Sequence, residues 1–417
     1  MAIENRFASE NYVSEVLENY TKIDDLNDYA KLDALNDYAT TEFVNSEIDR
    51  VLSLTERVKS WGAVQYYVRN GQAPYIFNIG DQLVCNHERY GELVWDIIGF
   101  DQDIPTDSQY THSMTLQLHN ILDTAERYFD APEAYYRTTE ELEAGNYYLI
   151  LQTKLDGSGS NTHYQITIPS GTTIPANAIL YGTVTACSFM SDDLSETYWS
   201  GKLTSKGSTT PTDGPILGIM NYYRANSSNG GSNNWNESGI RVFLNGENET
   251  LNWISQHDLD MPPPYINEPG FLYQIDPEFK EILGLVNKDN YNHITGEIEI
   301  SSDLVFLPSK SEVYGGPIYN MSGTTLNVGE PYQYYVDNTS LSEPGTTTDT
   351  CKIKYGTNGT AYAYYLRNPY ITNATTATAA ANVTKLSAVS TTGAITGGNA
   401  AGTSSGARFL APCCCIV

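Results

Sequence analysis

Tyr364-Tyr-Leu-Arg-Asn-Pro-Tyr370 is the stretch on which the fold turns. After it, residues 371–406 hold one charged side chain, Lys385, among Thr, Ala, Ser, Asn and Gly. So bland a composition fits either a flexible linker or short strands at the mouth of a domain. Val383, Leu386, Val389 and Ile395 flank a Thr391-Thr-Gly-Ala394 turn, which favours the strands. Beyond them stands the triplet Cys413-Cys-Cys415. Adjacent strand residues face opposite ways, so three cysteines in a row do not converge on one tetrahedral metal. They are expected to be small, buried, reduced thiols on a terminal strand.

Composition narrows the function. Of 417 residues 40% are hydrophobic and 18% charged, a globular balance with room for two or three domains. Fifty acidic against 23 basic residues give a net charge of −27, which argues against nucleic acid or an acidic membrane as partner. The 32 tyrosines suit either strands or a binding surface. MAIENRFASE has no basic or apolar leader region, so no signal peptide is expected, and no stretch approaches a membrane span. Six scattered cysteines are no disulfide framework, which points to synthesis in a reducing cytoplasm.

The first sixty residues differ from the rest. Val13, Val16, Tyr20 and Ile23 are spaced 3-4-3, and Val44, Ile48, Val51, Thr55 and Val58 are spaced 4-3-4-3. Both are heptad seams, and a single amphipathic helix would give the same spacing. The words LNDYA occur at Leu26–Ala30 and Leu35–Ala39, an offset that is no heptad multiple, so a coil must locally unwind or break there. From Trp61 the chain turns aromatic, Gly-rich and strand-like. Strands are expected over Tyr75–Asp81, Gln82–Cys85, Glu92–Ile98, Asn146–Gln152, Tyr164–Ile168 and Ser301–Pro308. Helices are expected over Met114–Phe129, from Ser238 to Leu244, and after Asp276, where Pro277 and Glu278 fill the first turn.

Several phrases, in order, resemble an uncharacterised C-type-lectin-like family abundant in phages and prophages of gut bacteria, related in fold to retroelement-diversified adhesins such as the major tropism determinant. They are Gly80-Asp81 with Trp95-Asp-Ile-Ile-Gly99, Asn233-Asn-Trp-Asn-Glu-Ser-Gly-Ile-Arg241-Val-Phe-Leu-Asn245, Asp276-Pro-Glu278 and Asp303-Leu-Val-Phe-Leu-Pro-Ser309. Tyr364–Tyr370 and Gly406-Ala-Arg408-Phe-Leu-Ala-Pro412 complete the series. The chain departs from the family pattern at Tyr365, where tryptophan is usual, and at Phe409, where proline is usual. Leu35–Ile48 resembles a phrase of trimeric phage tail and head fibres.

The resemblance implies an α+β fold: a C-type-lectin-like domain with an inserted small β-sheet module, preceded by an N-terminal helical or coiled-coil trimerisation segment. The expected divisions are 1–60 for attachment and trimerisation, 61–130 for the start of the lectin-like domain, 131–190 for the inserted β module, and 191–417 for the remainder. In such a fold Leu366 and Pro369 pack inward, while Arg367 meets a buried carboxylate or carbonyl. The implied function is a homotrimeric virion fibre or spike, made in the bacterial host cytoplasm. It would be fastened to other virion structural proteins by its N-terminus and bind a bacterial surface glycan or protein. Trimer contacts fall on Val44, Ile48, Val51, Thr55 and Val58. Ligand contacts fall on Tyr364, Asn368, Tyr370, Asn373, Thr375, Asn382 and Thr384. The rival readings are a capsid or tail decoration protein with a purely structural role and, more distantly, a glycan-cleaving spike enzyme.

Nothing in the residues points to catalysis, a metal or a cofactor. The six histidines form no His-x-x-x-His or His-Glu pair, and no Gly-x-Ser-x-Gly elbow, P-loop or dinucleotide glycine pattern occurs. Acid pairs such as Glu140-Glu141 and Asp192-Asp193 read as solvated surface in so acidic a chain. The EF-hand calcium pattern is absent.

Overall fold

The computed structural model describes residues 60–125, 127–130, 135–152, 161–181, 198–200, 203–220, 232–251, 265, 267–292, 295–319, 324–338, 349–370, 385–399 and 408–417. Val44, Ile48, Val51, Thr55 and Val58 lie outside them, as do Asn373, Thr375, Asn382 and Thr384.

Strand outweighs helix, 39% against 17%, and the six α-helices among the described residues are short. The expected α+β class with its coiled-coil shaft is corrected on that finding. The described part is a β-sheet protein, and no long coiled-coil helix occurs among the described residues. The error is clearest at Met114–Phe129, expected as a helix. Met114–Leu118 is a strand, with all five residues buried. Both faces of its sheet are covered, so alternation is erased, and the apolar spacing then imitates a helix face. The reverse correction falls at Tyr75–Asp81, expected as a strand. Ala73–Ile76 is one helical turn with Pro74 at its start, where a missing N–H costs nothing.

One five-stranded antiparallel sheet organises the core. Its order is Gln82–His87, Gly91–Phe100, Met114–Leu118, Cys413–Ile416, Val305–Phe306. The strand latest in sequence therefore lies inside the sheet, with Met114–Leu118 on one side and Val305–Phe306 on the other. Its register pairs Cys414 with Leu116 and Val305. The Val417 carbonyl accepts bonds from Gln65 Nε2 at 2.9 Å and Arg69 Nε at 3.0 Å, both on the helix Trp61–Arg69. Trp95, fully buried, lies 5.6 Å from the Phe279 ring and donates its indole N–H to Cys85. Burying such a ring contributes roughly 1.5–3 kcal/mol. Phe279 is delivered by the short helix Pro277–Glu281, whose N-terminus Asp276 caps through the Glu278 and Phe279 amides.

Two smaller sheets pack around this one. Glu297–Asp303, Val286–Asn292 and Ile104–Pro105 form the first. Tyr364–Pro369, Lys385–Val389 and Ile395–Asn399 form the second, with Thr391-Thr392-Gly393 at the hairpin turn, where strands were expected.

The module between the two parts of the core has its own apolar cluster, from Tyr135 through Leu149, Ile166 and Leu180 to Met220. It thus runs past the expected limit at 190. Gly145–Gln152 and Asn161–Ile168 pair along eight residues, and Ile216–Ile219 joins the former strand in parallel. The flanks of this insertion meet: Asp130 accepts the Ser232 amide at 2.6 Å and the Gly239 amide at 3.1 Å.

Candidate functional site

The stretch Tyr364–Pro369 is buried along all six residues. Tyr364 is 0% exposed and donates its hydroxyl to the Lys352 carbonyl at 3.0 Å. Asn368 is 1% exposed; its Oδ1 accepts the Lys310 amide at 2.6 Å and its Nδ2 donates to Ser387 Oγ at 3.2 Å. Neither side chain reaches a surface, which corrects their expected role as ligand contacts. A strand covered on both faces has no outward set of residues to offer. Tyr370 is half-buried, and its ring lies against Gly397, where a Cβ would come within 2.5 Å of it. Its amide donates to the Lys385 carbonyl at 3.1 Å, so the two residues that flank 371–384 form one hydrogen-bonded pair.

Beneath this strand lies a cluster of four buried charges, of which the sequence announced Arg367 and its carboxylate partner but not Asp103 or Lys288. Asp103 precedes the strand Ile104–Pro105, Lys288 lies in Val286–Asn292, Glu312 in the helix Lys310–Tyr314, and Arg367 in Tyr364–Pro369. Their side chains are 1–4% exposed. Lys288 Nζ contacts Asp103 Oδ1 directly and lies 2.6 Å from Glu312 Oε1. Arg367 grips both oxygens of Glu312 and also donates to the carbonyls of Leu307 and Val328, each at 3.0 Å. Two cations face two carboxylates, so the cluster balances internally, as a dry site demands.

Local sequence explains the placement. Ser309 and Glu312 form a capping box, in which the Glu312 side chain turns back to the Ser309 amide at 2.7 Å and thereby towards Arg367. Gly329, at φ +123°, leaves room for Glu312; a Cβ there would lie 2.6 Å from Oε1.

Asp103 has an asymmetric environment. Oδ1 faces Lys288, while Oδ2 accepts from Thr115 Oγ1 at 2.6 Å, the Tyr332 hydroxyl at 3.0 Å and Cys415 Sγ at 3.3 Å. Lys288 Nζ sits 4.4 Å from the Phe306 ring centre. Burial pushes the Glu312 carboxyl up, but Arg367 and Lys288 outweigh it and hold the group at about 2. Burial pulls Lys288 down, and Asp103 with Glu312 more than reverses this. The three thiols of Cys413–Cys415 are pushed well up, first by burial, as expected for inert cysteines. No group of metal-ligating side chains occurs among the described residues.

A second cluster shares the edge of the first. Trp235 Nε1 and Ser301 Oγ donate to Asp303 Oδ2 at 2.9 and 2.6 Å, and Arg241 Nε donates to Oδ1 at 2.6 Å. Asn290 joins the two, donating to Ser301 Oγ and accepting from Arg367 Nε. Trp235, Arg241 and Asp303 come from two of the phrases that carried the resemblance. Their role is internal: they lock the helix Gly239–Leu244 to the strand Glu297–Asp303.

The fold and site define a β-sheet scaffold with an internally paired cluster of buried charges. A family model described as a domain of unknown function (DUF6273) matches residues 215–417, just under half the chain. No curated protein and no solved structure matches. Nothing in these comparisons links the chain to phage proteins or lectin-like folds. The matched region contributes only two of the five strands of the central sheet, Val305–Phe306 and Cys413–Ile416. The other three come from residues 82–118.

Proposed function

We propose that the chain is a virion attachment protein, a fibre or spike that trimerises through its first sixty residues and binds a bacterial surface glycan or protein. One observation supports this reading above the others. The Tyr370 amide donates to the Lys385 carbonyl, so the described residues on either side of the polar segment 371–384 are paired beside a buried sheet. Recognition residues commonly sit on segments that a rigid scaffold positions. The segment's Asn, Thr and Ala composition offers hydrogen bonds and small contacts to a polar target. Tyr370, half-buried where that segment begins, is assigned in this reading as one of the contact residues.

Labelled full-length chain applied to a panel of gut bacterial cells tests the reading. Saturable binding to some strains is expected. Alanine at Tyr370, Asn373, Thr375, Asn382 and Thr384 together should abolish it without altering the melting temperature. Undiminished binding by that variant, or binding to no strain, would reject the proposed contact surface.

A further inference from the structure

We propose that Lys288 and Asp103 are joined by a covalent amide bond, formed spontaneously inside the folded protein with Glu312 as the catalytic group. The inference is independent of the attachment reading and rests on the arrangement around the Lys288–Asp103 contact.

Four conditions for acyl transfer to an amine meet there. The nucleophile lies beside the acyl group, since Nζ contacts Oδ1 of the carboxyl whose Cγ it would attack, and such proximity lowers the entropic barrier. The second oxygen, Oδ2, is held by the Thr115 and Tyr332 hydroxyls and the Cys415 thiol. Those donors can stabilise the negative charge that develops on Oδ2 in a tetrahedral intermediate. A proton carrier is in place, with Glu312 Oε1 2.6 Å from Nζ. The site is dry: Lys288 and Asp103 are 3% and 5% exposed, and Phe306 lies against the amine. Asp103 and Glu312 hold Lys288 as the ammonium at rest, so proton transfer precedes attack, and the dry site keeps out the water that would reverse the reaction.

The step balances. A proton moves from the Lys288 ammonium to the carboxylate side of the contact, leaving a free amine. The amine lone pair forms the Nζ–Cγ bond, and the Cγ–Oδ1 bond breaks. Of the three ammonium protons, one stays on the amide nitrogen and two leave with Oδ1 as water, relayed by Glu312. No oxidant, reductant or cofactor is consumed. One cation and one anion disappear together, so Glu312 and Arg367 remain as a balanced pair. A buried Lys–Asp pair costs desolvation that an amide does not.

The bond would join residues 185 positions apart. The loop it closes contains the whole insertion between Asp130 and Ser232. Such a tie would keep the two halves of the core together even when the sheets are pulled.

Intact mass of the denatured full-length chain is the test, with peptide mapping to locate any change. The expected mass is below the sequence mass by one water, after allowing for loss of Met1. The expected map shows a branched peptide joining Lys288 to Asp103, with no tryptic cleavage after Lys288. A mass equal to the sequence overturns the proposal. So does a water loss mapped elsewhere, for example to a succinimide at Asp156-Gly157. Asp103→Ala and Lys288→Arg should each restore the sequence mass. Glu312→Gln should slow bond formation on the order of 100-fold; an unchanged rate removes Glu312 from the mechanism. The wild-type mass decides first, so the proposal stands or falls even where a variant does not fold.

Discussion

Glu312 shows how one residue can hold several elements. Replacing it with Gln leaves Arg367 buried without its carboxylate, which should cost about 3–5 kcal/mol in unfolding free energy. The same carboxyl sets an acid limit. Its value falls on folding from 4.5 to about 2, so its contribution is complete above pH 4.5 and is lost as pH falls towards 2. The loss should be on the order of 3 kcal/mol. Urea midpoints for wild type and Glu312→Gln across that range check both figures; parallel profiles would show that Glu312 is not responsible. Part of this could be read in advance. Ser309-x-x-Glu312 is a capping-box pattern, and Arg367 was expected to meet a buried carboxylate. Asp103 and Lys288 carry no local signal, because their pairing is made by tertiary contact between distant strands. Tyr364 and Asn368 misled for the opposite reason: tyrosine and asparagine suit binding loops, yet here their polar atoms are satisfied within the core.

The strand Cys413–Ile416 shows what is decided at the level of the element. Three adjacent cysteines read correctly as buried thiols, since neither face of an interior strand offers solvent or a shared metal geometry. Ellman's reagent should therefore leave Cys413, Cys414 and Cys415 unmodified in the native state and label them on unfolding. Rapid native labelling would mean that the strand is not inside the sheet. Caps were equally readable: Ser238 and Asp276 begin helices where expected, because capping chemistry is local. The hairpin around Gly393 was readable for the same reason. Met114–Leu118 was not, because a strand buried on both faces loses the alternation by which strands are recognised.

At the scale of the whole molecule, the core is assembled from both sides of an insertion. Residues 215–417 alone lack three of the five central strands and should remain unfolded, with no near-ultraviolet dichroism and rapid proteolysis. The strands Gly145–Gln152 and Asn161–Ile168 were visible in the sequence as paired Tyr- and Ile-rich runs, whereas Ile216–Ile219 was not. That last strand of the insertion is four residues long and follows a Ser/Thr/Gly-rich stretch. The adjacency of Asp130 and Ser232 makes the insertion removable. The decisive measurement is a near-ultraviolet dichroism melt of residues 60–417 in which 131–231 are replaced by a short glycine-serine linker. A single cooperative transition within a few degrees of the intact protein is expected. Loss of the folded signal would contradict a core completed by residues 60–130 and 232–417 together.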